Sequence, residues 1–276
     1  MSHDLHLHHA PGRWHLDDIP FHRLAPDRVH ADPNRFYLLA SASFVEITSD
    51  LYTQTLRAYF TGDAEVQDWL EDVWEPEEMQ HGVALRRYVE RVWPEFDWEE
   101  TYKRFYAEYA GLCRTDRLGP THTLELVSRC VIETGTASLY TMIADSTAEP
   151  TLQMLARRIR DDEIGHYRYF YHAFRRYLER EPAGYYRIAR TLLARAREID
   201  HEDAFLAFKH IYLSGRRQEL STEQAYRSYR KYWMRTAKRH YPYSMAIKMF
   251  LKPLGFKPSV QHAVVVLLLA GARYLG

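Results

Sequence analysis

A short motif, Glu-x-x-His, occurs twice in this chain with a further Glu about thirty residues upstream of each copy, and this pattern constrains the fold most strongly. Residues three apart share one face of an α-helix, so each motif can bind one metal ion. The longer spacing fits two antiparallel helices whose midpoints lie opposite each other. We therefore expect four helices that bring four carboxylates and two imidazoles to one point. The residues are Glu46, Glu78 and His81, here called the first triad, and Glu133, Glu163 and His166, the second triad.

A third Glu-x-x-His pair provides an internal control. Roughly one such pair is expected by chance in a chain of this composition. Glu198 and His201 form the third pair, and the positions near thirty residues upstream hold Arg168 and His166 rather than a carboxylate. Because the upstream acid is missing, we interpret this pair as a surface coincidence.

The helical neighbours of the two motifs are apolar, which predicts that the triads are buried. Trp74 and Leu85 share a face with the first motif, and Ile159 and Phe170 share one with the second. Burying carboxylates without compensating charge is very costly, and Arg129 is the only base on a neighbouring turn. Two divalent cations would balance the four carboxylates. The alternative is a bundle without metal, in which the acids are solvated and the histidines are hydrogen-bonded core residues.

The hydrophobic pattern is helical nearly throughout, and no segment shows the alternation expected of strands. Gly and Pro are sparse, with 12 of each in 276 residues. The sequence therefore predicts an all-α protein. Residues 1–32, broken by several prolines, are expected to form an extended arm. Residues 33–276 are expected to form a single domain, with a four-helix core at about 34–180 and extra helices over 183–276.

Proline, glycine and capping signals predict the boundaries of the individual helices. Residues 97–112 are expected to form a crossover helix, which orients the third core helix. Pro76 lies two residues before Glu78 and removes a helical hydrogen bond, so we expect a distorted helix there. The core helices are predicted at 34–61, 63–93, 121–145 and 150–180, and the later helices at 184–199, 201–214, 222–240 and 259–273.

Charge is balanced over the whole chain but not along it. With 37 basic and 37 acidic residues, the composition gives no indication of nucleic-acid binding. Residues 205–260, however, contain twelve Lys and Arg and only two Glu. This basic block is either a solvated surface or a docking site for an acidic carrier protein or lipid head groups.

The sequence also favours a cytoplasmic location. Two cysteines are too few for a disulfide framework. The apolar run over 263–270 is too short to span a bilayer. The N-terminus has no apolar segment typical of a signal peptide. It carries instead four histidines that could bind metal adventitiously, His3, His6, His8 and His9.

The segments around the two motifs resemble those of a known enzyme family. Residues 77–82 read Glu-Glu-Met-Gln-His-Gly, and residues 162–167 read Asp-Glu-Ile-Gly-His-Tyr. They are similar to Glu-Glu-Asn-Arg-His-Gly and Asp-Glu-Lys-Arg-His-Glu of the soluble acyl-carrier-protein desaturases, in the ferritin-like di-iron superfamily. The resemblance covers the first four core helices. It implies a ferritin-like four-helix bundle with a crossover helix and additional C-terminal helices.

The same resemblance implies roles for individual residues. The six triad residues would be ligands of two iron ions, with Glu78 and Glu163 bridging them, and manganese accepts the same ligands. Thr136 would lie near the oxygen site. Asp162 would orient a ligand histidine, as metal-bound imidazoles usually require.

The function implied by the resemblance is that of an enzyme, a di-iron oxidoreductase that activates dioxygen to oxidise a C–H bond. Desaturation of a fatty acyl chain on an acidic carrier protein is the first expectation, with an external electron donor and a homodimeric assembly. Di-iron N-oxygenases are less favoured because Ile159 stands where they carry a third His, and ribonucleotide reductases because Leu85 stands where they carry a Tyr. Aldehyde-deformylating oxygenases, iron-handling ferroxidases and a metal-free helical binding protein remain as alternatives.

Overall fold

The computed structural model describes residues 14–198, 203–215 and 219–274. Every regular element in these residues is helical and none is a strand, which confirms the all-α prediction. Within the same residues, no helix is long and apolar enough to cross a membrane. The N-terminal histidines, His201 and residues 216–218 lie outside the described residues.

The chain divides into two compact units, one ending at Arg117 and the other beginning at Leu118. Whether they form the single predicted domain stays a prediction. The first unit contains α1 (Pro33–Ile47), α2 (Ser49–Tyr59), α3 (Ala64–Trp69), α4 (Glu75–Val92) and α5 (Trp98–Tyr109). The second unit contains α6 (His122–Ser146), α7 (Pro150–Arg180), α8 (Tyr185–Glu198), α9 (Asp203–Ser214), α10 (Thr222–His240), α11 (Tyr243–Leu251) and α12 (Pro258–Tyr274).

The first unit is built on an antiparallel pair, α1 and α4. The rings of Phe36 and Trp93 lie 5.2 Å apart at one end of the pair. Glu46 lies ten residues after Phe36 on α1. It approaches His81 on α4, which lies twelve residues before Trp93. Contacts that run in opposite directions along the two helices require an antiparallel arrangement. Helix α5 also packs against α1, where the indole N–H of Trp98 donates to the Ser43 hydroxyl at 2.8 Å.

The predicted helix over 34–61 is interrupted, because α1 ends at Ile47 and α2 begins at Ser49. At Thr48, between them, the backbone leaves the helical region with φ −95° and ψ 13°. The Thr48 hydroxyl donates to the carbonyls of Phe44 and Val45, at 2.9 and 2.8 Å. Such side-chain bonds to the preceding turn compete with the helical backbone pattern. The prediction of one continuous helix was therefore wrong at this point.

The expected distortion before the first motif is present. Leu70–Trp74 forms a π-helical turn, which leads directly into α4 at Glu75. Pro76 is the second residue of α4 and cannot donate a backbone hydrogen bond. A π-helical turn shifts the hydrogen-bond register by one residue and is frequent at functional sites. Here it immediately precedes the turn that carries Glu78.

The second unit is built on a second antiparallel pair, α6 and α7. At one end His122 hydrogen-bonds the Glu181 carboxylate at 2.7 Å, and at the other Gln153 donates to the Ala144 carbonyl at 3.2 Å. The Glu149 carboxylate caps α7 by accepting from the backbone N–H groups of residues 151 and 152. These helices agree closely with the predicted 121–145 and 150–180. A four-helix bundle made from both pairs stays a prediction.

The later helices agree with the predictions except for α11, which was missed. It spans only nine residues and is followed by Pro253 in the next turn. A segment of this length is too short to show a clear helical period. Its helical form is supported instead by packing against α6 and α12.

Candidate metal centre

The first triad lies entirely within the first unit. Glu46 is on α1, and Glu78 and His81 lie one turn apart on α4. All three are buried, with side chains no more than 8% exposed. The Nδ1 atom of His81 lies 3.7 Å from a carboxylate oxygen of Glu46. Each of the three offers a ligand atom within 4.8 Å of the others, so the set could hold a metal ion.

Two features outside the triad position His81. The Trp14 ring is parallel to the His81 ring, with an interplanar angle of 1° and centroids 6.2 Å apart. The amide of Gln80 donates to the Trp14 carbonyl at 3.1 Å, which ties the N-terminal arm to α4. A Cβ on Gly82 would lie 2.5 Å from the backbone nitrogen of Ile47, so glycine permits the close approach of α4 to α1. No local signal predicted the Trp14 contact, since Trp14 precedes His81 by 67 residues.

The second triad lies within the second unit and is more deeply buried. Glu133 is on α6, and Glu163 and His166 are on α7, each 1% exposed. His166 Nδ1 lies 3.6 Å from a Glu133 oxygen and 3.8 Å from a Glu163 oxygen. The ligand atoms of these three again lie within 4.8 Å of one another. The triad could therefore hold a metal ion with two carboxylates and one imidazole.

Thr136, predicted beside the oxygen site, contacts the second triad directly. Its hydroxyl donates to a Glu163 carboxylate oxygen at 2.7 Å, across from α6 to α7. A hydroxyl bond of this length holds the carboxylate in one orientation. Asp162 immediately precedes Glu163 on α7 and is half-buried. Its predicted action on a ligand histidine stays a prediction.

The electrostatics of the second triad favour a bound cation. The pKa of Glu133 is raised to about 8, mainly by burial and also by the nearby Glu163 carboxylate, against the opposing hydrogen bond and charge of His166. Arg129, the base expected nearby, forms an ion pair with Glu125 at 2.8 Å. A cation that bound to the triad would stabilise the ionised carboxylates that burial disfavours.

The two triads share one construction. In each unit a Glu on the first helix of an antiparallel pair faces a Glu-x-x-His motif on the second helix. The separation of the Glu and His is 3.7 Å in one unit and 3.6 Å in the other. The control residue Glu198 differs, since it is exposed and paired with Arg195 at 3.3 Å. The doubled motif therefore corresponds to a repeated helix pair, as the spacing predicted.

Carboxylate oxygens and imidazole nitrogens are the ligands used by iron, manganese and zinc in proteins. Their presence in two buried sets confirms the coarser prediction, that the chain has clusters able to hold metal. No family model, curated protein or solved structure matches the chain.

Proposed function

We propose that the six triad residues bind two iron ions, and that the protein uses these ions to activate dioxygen and oxidise an unactivated C–H bond. The observation that supports the proposal is the repeated construction, in which two helix pairs each bury two carboxylates and one histidine at matching separations. Four buried carboxylates are balanced in charge by two divalent cations. A structural role alone gives no reason to bury the same acids twice, because paired or unpaired buried charge is seldom a net source of stability.

The ligand set suits iron chemistry with oxygen. When bound, ferrous ions supply electrons to dioxygen, a reduction that no side chain of the protein can perform. Oxygen-rich ligands with few histidines are accepted by both iron and manganese. By the resemblance to the desaturases, the six triad residues would hold the two ions, with four carboxylates and two imidazoles as ligands.

The surrounding residues have separate tasks. The Thr136 hydroxyl orients the Glu163 carboxylate through its 2.7 Å hydrogen bond. The Trp14 ring lies parallel to the ring of His81, whose side chain is fully buried. Burial of the ligands keeps the local dielectric low, which strengthens their interaction with a cation. Together these residues supply orientation and a dry environment.

For the substrate we propose a fatty acyl chain on an acidic carrier protein, with desaturation as the reaction. The acyl chain loses two hydrogens and gains a double bond. An external donor supplies two electrons, accompanied by two protons. Dioxygen is thereby reduced to two molecules of water. The protein would work in the cytoplasm as a homodimer. Other oxygenase reactions and ferroxidase activity can use the same ligands. An oxygenase consumes an organic substrate, whereas a ferroxidase does not.

Metal content tests the proposal first. The full chain, with its four N-terminal histidines replaced by Ala to remove adventitious binding, is loaded with ferrous iron without oxygen and analysed by elemental mass spectrometry. We expect two irons per chain. Glu133→Ala and Glu163→Ala should lose this loading, whereas Glu198→Ala, which alters the third Glu-x-x-His pair, should keep it. Full loading of both triad variants would refute the assignment.

Oxygen chemistry tests the second part. The iron-loaded protein is given a chemical reductant and carrier-bound acyl substrate, and the product is examined by mass spectrometry. A product lighter by two hydrogens supports desaturation. Rapid oxygen consumption that is unaffected by any acyl substrate, with iron oxidised and accumulated, would instead identify a ferroxidase.

A further inference from the structure

The second unit contains a cavity that is separate from the triads. Helices α7, α11 and α12, with the turn after α11, line this open cavity, whose volume is about 440 Å³. Cavities of this size hold small molecules or parts of larger ones. The residues contributed by α7 are Ile164, Tyr167 and Arg168. They belong to the same helix as the second triad. Each helical residue turns the side chain by about 100°, so Ile164 and Arg168 present a different face, whereas Tyr167 lies one turn after Glu163.

The rim of the cavity is basic. Arg168, Lys248, Lys252 and His262 contribute to it, and no Asp or Glu is found among the described residues that line it. All four are exposed at the surface. Over the described part of the chain, none of the four forms an ion pair with a carboxylate. Many other arginines do, as in the pair of Arg86 and Glu90 at 2.8 Å.

The position of one cation is set by aromatic rings. The Lys252 ammonium lies 4.4 Å from the centroid of the Tyr171 ring and 5.9 Å from that of Tyr167. These two rings stack on each other with an interplanar angle of 4°. The Tyr167 hydroxyl donates to the Met249 carbonyl at 2.6 Å, which fastens α11 to α7. Cation–π contact therefore holds Lys252 at the cavity although other cations are close.

The remainder of the cavity is mainly apolar. Ile164 and Met249 are half-buried, and Val265 is buried. A ligand that satisfies both parts needs an anionic group for the rim and an apolar portion for the interior. Three permanently charged side chains suit a phosphate better than a single carboxylate, because phosphate carries more charge and the guanidinium fork binds two of its oxygens.

We propose that this cavity binds the phosphate group of an amphiphilic ligand, with the apolar part of the ligand lying against Ile164, Met249 and Val265. The ligand would be either a soluble phosphate ester or the head group of an acidic phospholipid, since both present the same chemistry. The site requires no metal and is independent of the oxidation proposed above.

Binding of octyl phosphate to the full-length chain, measured by calorimetry, is the direct test. Inorganic phosphate and octanol, which each carry half of the ligand's chemistry, are the comparison probes. We expect octyl phosphate to bind more tightly than either. Arg168→Gln and Lys248→Gln should each weaken binding about tenfold, the usual effect of one hydrogen bond to a charged group. Lys257→Gln removes an exposed charge of the same segment that does not line the cavity, and it should bind like the parent chain.

Vesicle sedimentation separates the two sources of phosphate. Phosphatidylcholine vesicles with and without phosphatidic acid are compared, using the same variants. Capture that requires phosphatidic acid and is lost in Arg168→Gln identifies a lipid head group, whereas octyl phosphate binding without capture identifies a soluble ester. The inference is overturned by equal losses in Lys257→Gln and Arg168→Gln, by octanol binding as well as octyl phosphate, or by no binding in either assay.

Discussion

Replacing Gly82 by Ala tests how closely the helices of the first triad must pack. Gly82 lies on α4 next to His81 and is buried. A Cβ there would lie 2.5 Å from the nitrogen and 2.8 Å from the Cα of Ile47, both backbone atoms of α1. Backbone cannot rotate out of the way as a flexible side chain can. The added methyl group can therefore be accommodated only if α1 and α4 separate locally.

The magnitude follows from a matched position in the second unit. Gly165 is also inside a helix and next to a triad histidine, but a Cβ on it would meet nothing within 4 Å. Both substitutions gain about 1 kcal/mol from the better helix propensity of Ala. Gly82→Ala also suffers overpacking, which typically costs about 1–3 kcal/mol. Because the propensity gain is common to both variants, the difference between their unfolding free energies measures the cost of an added methyl group at buried Gly82 relative to exposed Gly165.

Urea unfolding followed by circular dichroism gives the two free energies. We expect Gly165→Ala to be more stable than the parent chain and Gly82→Ala to be less stable than Gly165→Ala by about 1–3 kcal/mol. Separation of α1 from α4 would also move Glu46 away from His81, so Gly82→Ala should retain less iron. Equal stability of the two variants would refute the close approach inferred at Gly82.

Three further substitutions test other parts of the structure. Thr136→Val removes the hydroxyl bond to Glu163 and should weaken metal binding by about 1 kcal/mol, with little change in helix content. An unchanged metal affinity in a competition titration would contradict the orienting role of Thr136. Trp98→Ala removes a side chain that is 2% exposed and should lower the unfolding free energy, measured in urea, by about 3–5 kcal/mol. A loss below about 1 kcal/mol would show that the surroundings of Trp98 are poorly packed. Partial burial raises the pKa of Glu181, but the hydrogen bonds that it accepts from His122 and the neighbouring backbone outweigh burial and lower it. Ionised Glu181 therefore stabilises the fold above its ordinary pKa of 4.5, and this contribution is lost as the pH falls through the lowered value. The parent chain should be more stable than Glu181→Gln near neutral pH and lose this advantage in acid; a difference that does not change with pH would exclude the effect.

Most of the local structure could be predicted from sequence because the signals were local. The long helices α6 and α7 were bounded within about two residues, since proline and capping residues mark their ends. The distortion before Glu78 was expected from Pro76 alone. The pairing of each upstream Glu with its motif also agreed with the structure inside each unit. A spacing of about thirty residues between the Glu and its motif places them opposite each other on two antiparallel helices, so their contact follows from the spacing.

Features that depend on distant partners could not be predicted. Helix α11 is too short to be recognised by its own period and is supported by packing against α6. The cavity needs side chains from α7, α11 and α12, which are about a hundred residues apart along the chain at their widest.

Helical spacing alone identifies the residues that can act as ligands, because residues three apart share a helical face whatever surrounds them. The contacts that hold those ligands are visible only in the folded chain: Trp14 against His81, Gly82 against Ile47, and Thr136 against Glu163. Local spacing is a property of the helix, whereas these contacts join segments that meet only when the chain is packed. Periodicity can therefore identify a site, but its orientation and its access to solvent depend on long-range packing.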